Sequence, residues 1–243
     1  MQVEYVLRKI VGSSKDNAVF LDIGCGLGDW TSIIAEKRRV IGIEINTENA
    51  RSTIHNVRTK CFLGVVVYDG NNLPFSDGSI DSICMIEVIE HVTDDDKLVS
   101  ECYRVLKNGG SMVLTTPNNE IEILNPIIHH GHIRHYSKNE ILGLLEDKGF
   151  KILDFLWRMH YVTGLIDDFL VTKAREHAFT SKDFGHNVYQ YQFENERTPF
   201  KLRALLWIYE KIVKPLIYLI VISEFNIKSK NSPGRNMIII VEK

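Results

Sequence analysis

Three glycines and three carboxylates stand at spacings that suit a nucleotide-like ligand. The stretch VFLDIGCGLGDW, residues 19–30, closes an apolar run with Asp22 and then places Gly24, Gly26 and Gly28 at alternate positions. Glycine permits positive φ and lets a ligand approach the main chain with no Cβ in the way. The amides that open the following helix face an anionic group. A dinucleotide fingerprint needs its third glycine at position 29, which is Asp29, and it needs no acid two residues before the first glycine. Both departures weigh against NAD or FAD. Asp22 instead suits a cationic ammonium group. Glu44 can accept hydrogen bonds from both hydroxyls of a ribose. Asp69, just before Gly70, can accept from an exocyclic adenine amine. Acids at the ends of three consecutive strands converge where open parallel sheets hold their ligands.

The elements that carry these residues alternate. Strands are expected over 19–22, Val40–Ile45, Cys61–Tyr68, Ile80–Ile86, Ser111–Thr115, Lys151–Leu156 and Met237–Val241, where β-branched and apolar residues dominate. Helices are expected from Asp29 to Lys37, from a Thr47 cap toward Val57, from a Thr93 cap through Leu106, and from a Ser137 cap with Glu140 at the capping-box position to Gly149. Asp94, Asp95 and Asp96 favour a helix start, and Asn108-Gly-Gly110 reads as that helix's end. The alternation implies an α/β fold: a Rossmann-like, seven-stranded, mostly parallel sheet with helices on both faces.

The 243 residues fit one domain with a sizeable insertion, and 44% hydrophobic with 25% charged residues is an ordinary globular composition. A net charge of −2 gives no electrostatic reason to expect nucleic acid as a partner. The four cysteines show no CxxC spacing and read as reduced thiols in a cytoplasmic protein with no zinc site. The first residues are too short and too charged for a signal peptide. The core is expected over 1–160 and 235–243, and a helical insertion over 161–234. Within the insertion, 202–225 is strongly apolar. Arg203, Glu210, Lys211, Lys214 and Pro215 interrupt it, so no uncharged run is long enough to span a bilayer. Two readings stand: a helix pair packed over the active site as a lid, or an interfacial patch that docks on a membrane or a lipid-linked substrate.

Further motifs surround the glycine turn: Asp69-x(3)-LPF-x-Asp77-x(3)-Asp81, EVIEHV over 87–92, ECYRVLKNGG over 101–110, and HIRHYS over 132–137 leading to Gly149-Phe150. With them the chain resembles the class I S-adenosylmethionine-dependent methyltransferases, in the subgroup similar to ubiquinone-biosynthesis and other small-molecule enzymes. The likeness covers residues 17–156 and the final strand. It implies S-adenosyl-L-methionine as cofactor and S-adenosyl-L-homocysteine as product. The turn Gly24, Cys25, Gly26 and Gly28 would cradle the methionine part, with Asp22 near its ammonium. Glu44 would hold the ribose, Asp69 and Gly70 would flank the adenine with Ile45 as apolar wall, and Glu87 would line the methionine side through its backbone.

Methyl transfer is an in-line displacement, so positioning dominates. An oxygen nucleophile also needs a base near neutrality. His91, past the fourth strand, and His135 are the candidates. Tyr136, Trp157 and Tyr161 could line an acceptor pocket or simply fill the core. The cluster His129, His130, His132, His135 invites a metal reading. It holds no acid, however, and the family does not generally use a metal, so none is expected. The acceptor is expected to be a small molecule, and the apolar insertion suggests a lipid, lipid-linked sugar or quinone-like one, methylated on oxygen. The alternatives are a cofactor-binding protein without catalysis and a nucleic-acid methyltransferase. The latter tends to end its fourth strand in an Asn/Asp-Pro-Pro-aromatic turn, which is absent here.

Overall fold

The computed structural model describes residues 2–68, 72–119, 131–158 and 233–243, with isolated positions between 219 and 230. In chain order these form α1 (Gln2–Ser13), β1 (Val19–Ile23), α2 (Asp29–Ala35), β2 (Arg39–Glu44), α3 (Thr47–Asn56), β3 (Phe62–Val67) and β4 (Ile80–Ile86). A 3-10 turn (Ile89–His91) follows, then α4 (Asp95–Val105), β5 (Leu106–Pro117), α5 (Lys138–Asp147), β6 (Lys151–Arg158) and β7 (Asn236–Glu242). The strands form one sheet in the order β3-β2-β1-β4-β5-β7-β6. Pairings among β1 to β5 are parallel, and β7 runs antiparallel to both its neighbours. The seven-stranded α/β sheet expected from the sequence is therefore present. Its order reverses between β1 and β4, which opens a crevice at their carboxyl ends.

Successive strand residues point to opposite faces, so each strand feeds two cores. Leu21, Ile83 and Met85 pack with Leu98, Val99 and Cys102 of α4 and with Ile141 and Leu145 of α5. Phe20 and Cys84 face the other way, against Val3, Leu7 and Val11 of α1 and Ile34 of α2. α1 was not foreseen, although Val3, Val6, Leu7 and Val11 carry the i, i+3, i+4 spacing of an amphipathic helix. Cys25, Cys84 and Cys102 are buried, and all four thiols are free.

Three local expectations need correction. α3 is capped by Asn46, whose side chain accepts from the Glu48 and Asn49 amides, and Thr47 takes the first helical position. α4 is likewise capped by Asp94, which accepts from Lys97 N, rather than by Thr93. Asn and Asp match or exceed Thr as caps, so the neighbouring residue wins. Asn108-Gly-Gly110 does not end a helix. β5 already pairs at Leu106 with Ile80, and its register slips before Ser111 meets Ser82. The two glycines fall in that bulge, with Gly109 at φ 74°. The Ser137–Glu140 capping box forms in both directions. Most of the expected 161–234 insertion lies outside the described residues. Among the described residues, no helix is long and apolar enough to cross a membrane.

Candidate active site

The glycine turn leaves β1 with Gly24, Gly26 and Gly28 all at positive φ (70°, 54° and 93°). Two of them also lack room for a side chain. A Cβ on Gly24 would lie 2.4 Å from Cγ2 of Val88, and one on Gly28 would lie 2.8 Å from Cγ2 of Val57. Amides of Gly24 and Cys25 both donate to the Ile43 carbonyl, which ties the turn to β2. Glu44 then clamps it: Oε2 accepts from Gly26 N at 2.8 Å and Oε1 from Asn46 N at 2.9 Å. Thr53 and Asn56 of α3 donate to the Gly26 and Leu27 carbonyls. The turn is thus held on both sides by side chains of the second β–α unit. Burial pushes the Cys25 thiol up to about 12, so it stays protonated.

A cavity of about 410 Å³ opens at this point, between Gly24, Glu44 and Ile45 on one side and Val88, His91 and Thr93 on the other. Its volume falls within the range of small-molecule sites, roughly 300–1,000 Å³. Ile45 is 70% exposed at its mouth. Tyr68, the residue after β3, also lines it. Sequence reasoning passed over Tyr68, although its place at a strand end was visible. Asp69 and Gly70 lie outside the described residues, as do His129, His130 and Tyr161.

Asp22 is not on the cavity wall. It is 1% exposed and accepts a 2.6 Å hydrogen bond from Thr31 Oγ1 of α2. Burial pushes its carboxyl up to about 7, against the pull of the Thr31 and Cys84 donors. Glu87 is absent from the wall as well. Its backbone sits at φ 54°, the one left-handed non-glycine among the described residues. Its amide is held by the Thr115 carbonyl and hydroxyl. Its carboxylate accepts from Thr115 Oγ1 at 2.6 Å, Arg158 Nη2 at 3.2 Å and Asn236 Nδ2 at 3.0 Å.

Beyond His91 the strand end becomes a histidine cluster. His91 Nδ1 meets the Gly131 carbonyl at 2.8 Å, and its ring stands edge-on to that of His132. His132 Nδ1 lies 3.0 Å from His135 Nε2. The Glu90 carbonyl accepts from both Ile133 N and Arg134 N, which stitches this segment to the 3-10 turn. Glu90 is fully buried, and its burial, with Glu87 nearby, pushes its carboxyl up to about 8. Tyr136 and Trp157 are core residues, and the Tyr136 hydroxyl donates to Asp95 at 2.6 Å.

The LPF and ECYR motifs form a single device. Arg104 donates to the Leu73 and Phe75 carbonyls and to Glu101 and Asp77, while Glu101 accepts from Leu73 N at 2.7 Å. One guanidinium, with its fan of donors, fixes the 73–77 segment.

Residues 21–114 match the family model described as a methyltransferase domain. A Mycolicibacterium smegmatis protein named for S-adenosylmethionine-dependent methyl transfer is 36% identical over 149 residues, 58% of this chain and 54% of that one. A ubiquinone/menaquinone biosynthesis C-methyltransferase of Vibrio cholerae is 33% identical over 115 residues, 44% of this chain and 42% of that one. The chain spans about half the length of the curated relatives it matches. A methyltransferase structure from Archaeoglobus fulgidus shares the fold with a TM-score of 0.60 at 18% identity, covering 100% of this chain and 93% of that one. Over residues 21–114 the chain is thus similar to the methyltransferase-domain family, and the relatives above are named for S-adenosylmethionine-dependent transfer. The cofactor of that family is S-adenosyl-L-methionine.

Proposed function

We propose that this protein transfers the methyl group of S-adenosylmethionine to an oxygen of a small-molecule acceptor. One observation carries the reading: the cavity at the β1–β4 crevice has the glycine turn and Glu44 on one wall and His91 on the other. Gly24, which lines the cavity and carries no side chain, leaves room for the methionine part. Glu44 holds the ribose, because each carboxylate oxygen pinned by an amide keeps a second lone pair. Ile45, exposed at the mouth of the cavity, covers the adenine. Asp22 acts from behind the turn, holding it through Thr31 and placing an acid near the ammonium end. Glu87 supports the floor through its backbone.

The acceptor approaches over His91. Its Nδ1 faces a carbonyl and so carries the proton, leaving Nε2 as a lone pair. That lone pair meets the acceptor oxygen by direct proton transfer or through an ion held on the nitrogen. His135, bonded to His132, is a positioning residue. The oxygen then attacks the methyl carbon, and the electron pair of the breaking carbon–sulfur bond returns to sulfur. Calorimetry with S-adenosylhomocysteine and transfer of labelled methyl into metabolite and lipid extracts test this. Binding without any labelled product would favour a cofactor-binding protein without catalysis. Absence of binding would overturn the reading altogether.

The acceptor we favour is a lipid or lipid-linked molecule met at a membrane surface through residues 202–225, in a cytoplasmic protein. What supports this is the apolar composition of that stretch and the 62% exposure of Leu219. Liposome flotation of wild type against Ile217→Asp/Leu219→Asp is expected to show loss of binding, and equal flotation would refute it.

A further inference from the structure

The side chains of Glu90, His91 and His132 each bring one ligand-type atom to within 4.8 Å of the other two. They come from two segments: the 3-10 turn after β4 and the 131–135 strip, held together by the Ile133 and Arg134 amides on the Glu90 carbonyl. Of the Glu90 oxygens, Oε2 accepts from Thr116 Oγ1 at 3.2 Å, while Oε1 is buried and meets no donor. A carboxylate oxygen out of water with no donor is costly. A cation beside it removes that cost.

The imidazoles are set for the same purpose. A carbonyl can only accept, so His91 Nδ1 is the protonated nitrogen and Nε2 offers its lone pair. At His132 the analogous tautomer, Nδ1–H donating to His135 Nε2, turns its own Nε2 into an acceptor. A ligating histidine whose second nitrogen is fixed by a hydrogen bond is the usual outer-shell arrangement of a metal site.

We propose that Glu90, His91 and His132 bind a divalent first-row transition ion at the acceptor side of the cavity. Two imidazoles with one carboxylate suit Zn²⁺, Mn²⁺ or Fe²⁺ better than Mg²⁺ or Ca²⁺. Closing the three atoms onto an ion at about 2.1 Å takes side-chain movements of about 1 Å. His91 also lines the cavity, so an ion held by this group would stand beside that wall. Its role there rests on the methyl-transfer reading. The acceptor oxygen coordinates the ion and its lowered pKa releases the proton to water. The oxygen then takes the methyl group, and the carbon–sulfur electron pair goes to sulfur. This departs from the expectation of no metal because neither Glu90 nor His91 belongs to the 129–135 histidine run. The fold brings them to it.

The test titrates the chelator-treated full chain, without a histidine tag, with Zn²⁺ against a competing chelator. Co²⁺ serves as the spectroscopic reporter. One equivalent is expected in wild type. Glu90→Gln and His132→Ala are expected to weaken it at least ~100-fold, and His135→Ala ~10-fold. Because Glu90 is buried and its variant can misfold, His91→Ala, which removes an exposed ring, gives a second reading of the same loss. Absence of stoichiometric binding in wild type, or unchanged affinity in His91→Ala and His132→Ala, would overturn the proposal. S-adenosylhomocysteine calorimetry on the same samples separates the two ideas. Zn²⁺ binding without cofactor binding defeats the methyl-transfer reading and leaves the site. Cofactor binding without Zn²⁺ does the reverse.

Discussion

Glu44 at the end of β2 accepts a 2.8 Å hydrogen bond from the amide of Gly26, so the acid meant for a ribose also shapes the turn meant for the methionine part. The two halves of the proposed cofactor site are mechanically one.

Glu44→Ala therefore removes a ligand contact and frees a turn. We expect S-adenosylhomocysteine affinity to fall by about 1–3 kcal/mol, roughly 5- to 150-fold in Kd. Glu44→Gln keeps an acceptor for one amide only and should fall between Ala and wild type. Calorimetry on the three proteins checks the order, and equal affinity throughout would separate Glu44 from the cofactor.

Asp22 makes stability depend on pH. Its folded-state value of about 7 stands above the ordinary 3.8, so no penalty exists where both states are protonated. As pH rises the unfolded chain ionises first, and stability is lost until the folded carboxyl ionises near 7. Glu90, raised to about 8, adds the same sign. Asp22→Asn keeps an acceptor for Thr31 and cannot ionise. Relative to wild type it should gain on the order of 2 kcal/mol between about pH 5 and about pH 8. Melting curves at both values decide it, and parallel pH slopes would count against a buried ionising Asp22.

Gly24→Ala places a methyl 2.4 Å from Val88 Cγ2 on a backbone at φ 70°. Left-handed strain and overpacking together should cost about 3 kcal/mol. Adding Val88→Ala relieves the clash and leaves the strain, so part of the loss should return. Chemical denaturation of the single and double variants measures it. The absence of any recovery would mean that the contact is not what excludes a side chain.

Glu87 combines a left-handed backbone with a network. Glu87→Ala and Glu87→Gly both unpair Arg158 and Asn236, and about 2 kcal/mol of stability should go with them, discounted for partial exposure. The glycine variant should be the more stable of the two by about 1 kcal/mol, because it alone escapes the strain. If urea unfolding ranks them the other way, the φ of 54° carries no strain.

Local pattern carried the sheet. Apolar runs with β-branched residues announced every strand, and the Ser137–Glu140 box formed as read. Caps slipped by one residue where an Asn or Asp stood beside a Thr, because both types serve and only packing chooses. The meeting of Gly24 and Glu44 at one cavity was legible because the strand ends of a parallel sheet follow chain order. Glu87 and Glu90 were not. What they do depends on Thr115, Thr116, Arg158 and Asn236, partners far along the chain. Spacing says nothing about contacts of that range.

Arg158 closes β6 and Asn236 opens β7, and the two are paired across the sheet. Everything between them leaves and returns through one doorway, with Glu87 gripping both posts. Extending such an excursion is cheap, since each doubling of its length costs only about 0.6 kcal/mol in closure entropy. Closure at the Arg158–Asn236 pair therefore sets little limit on how much chain leaves and returns there.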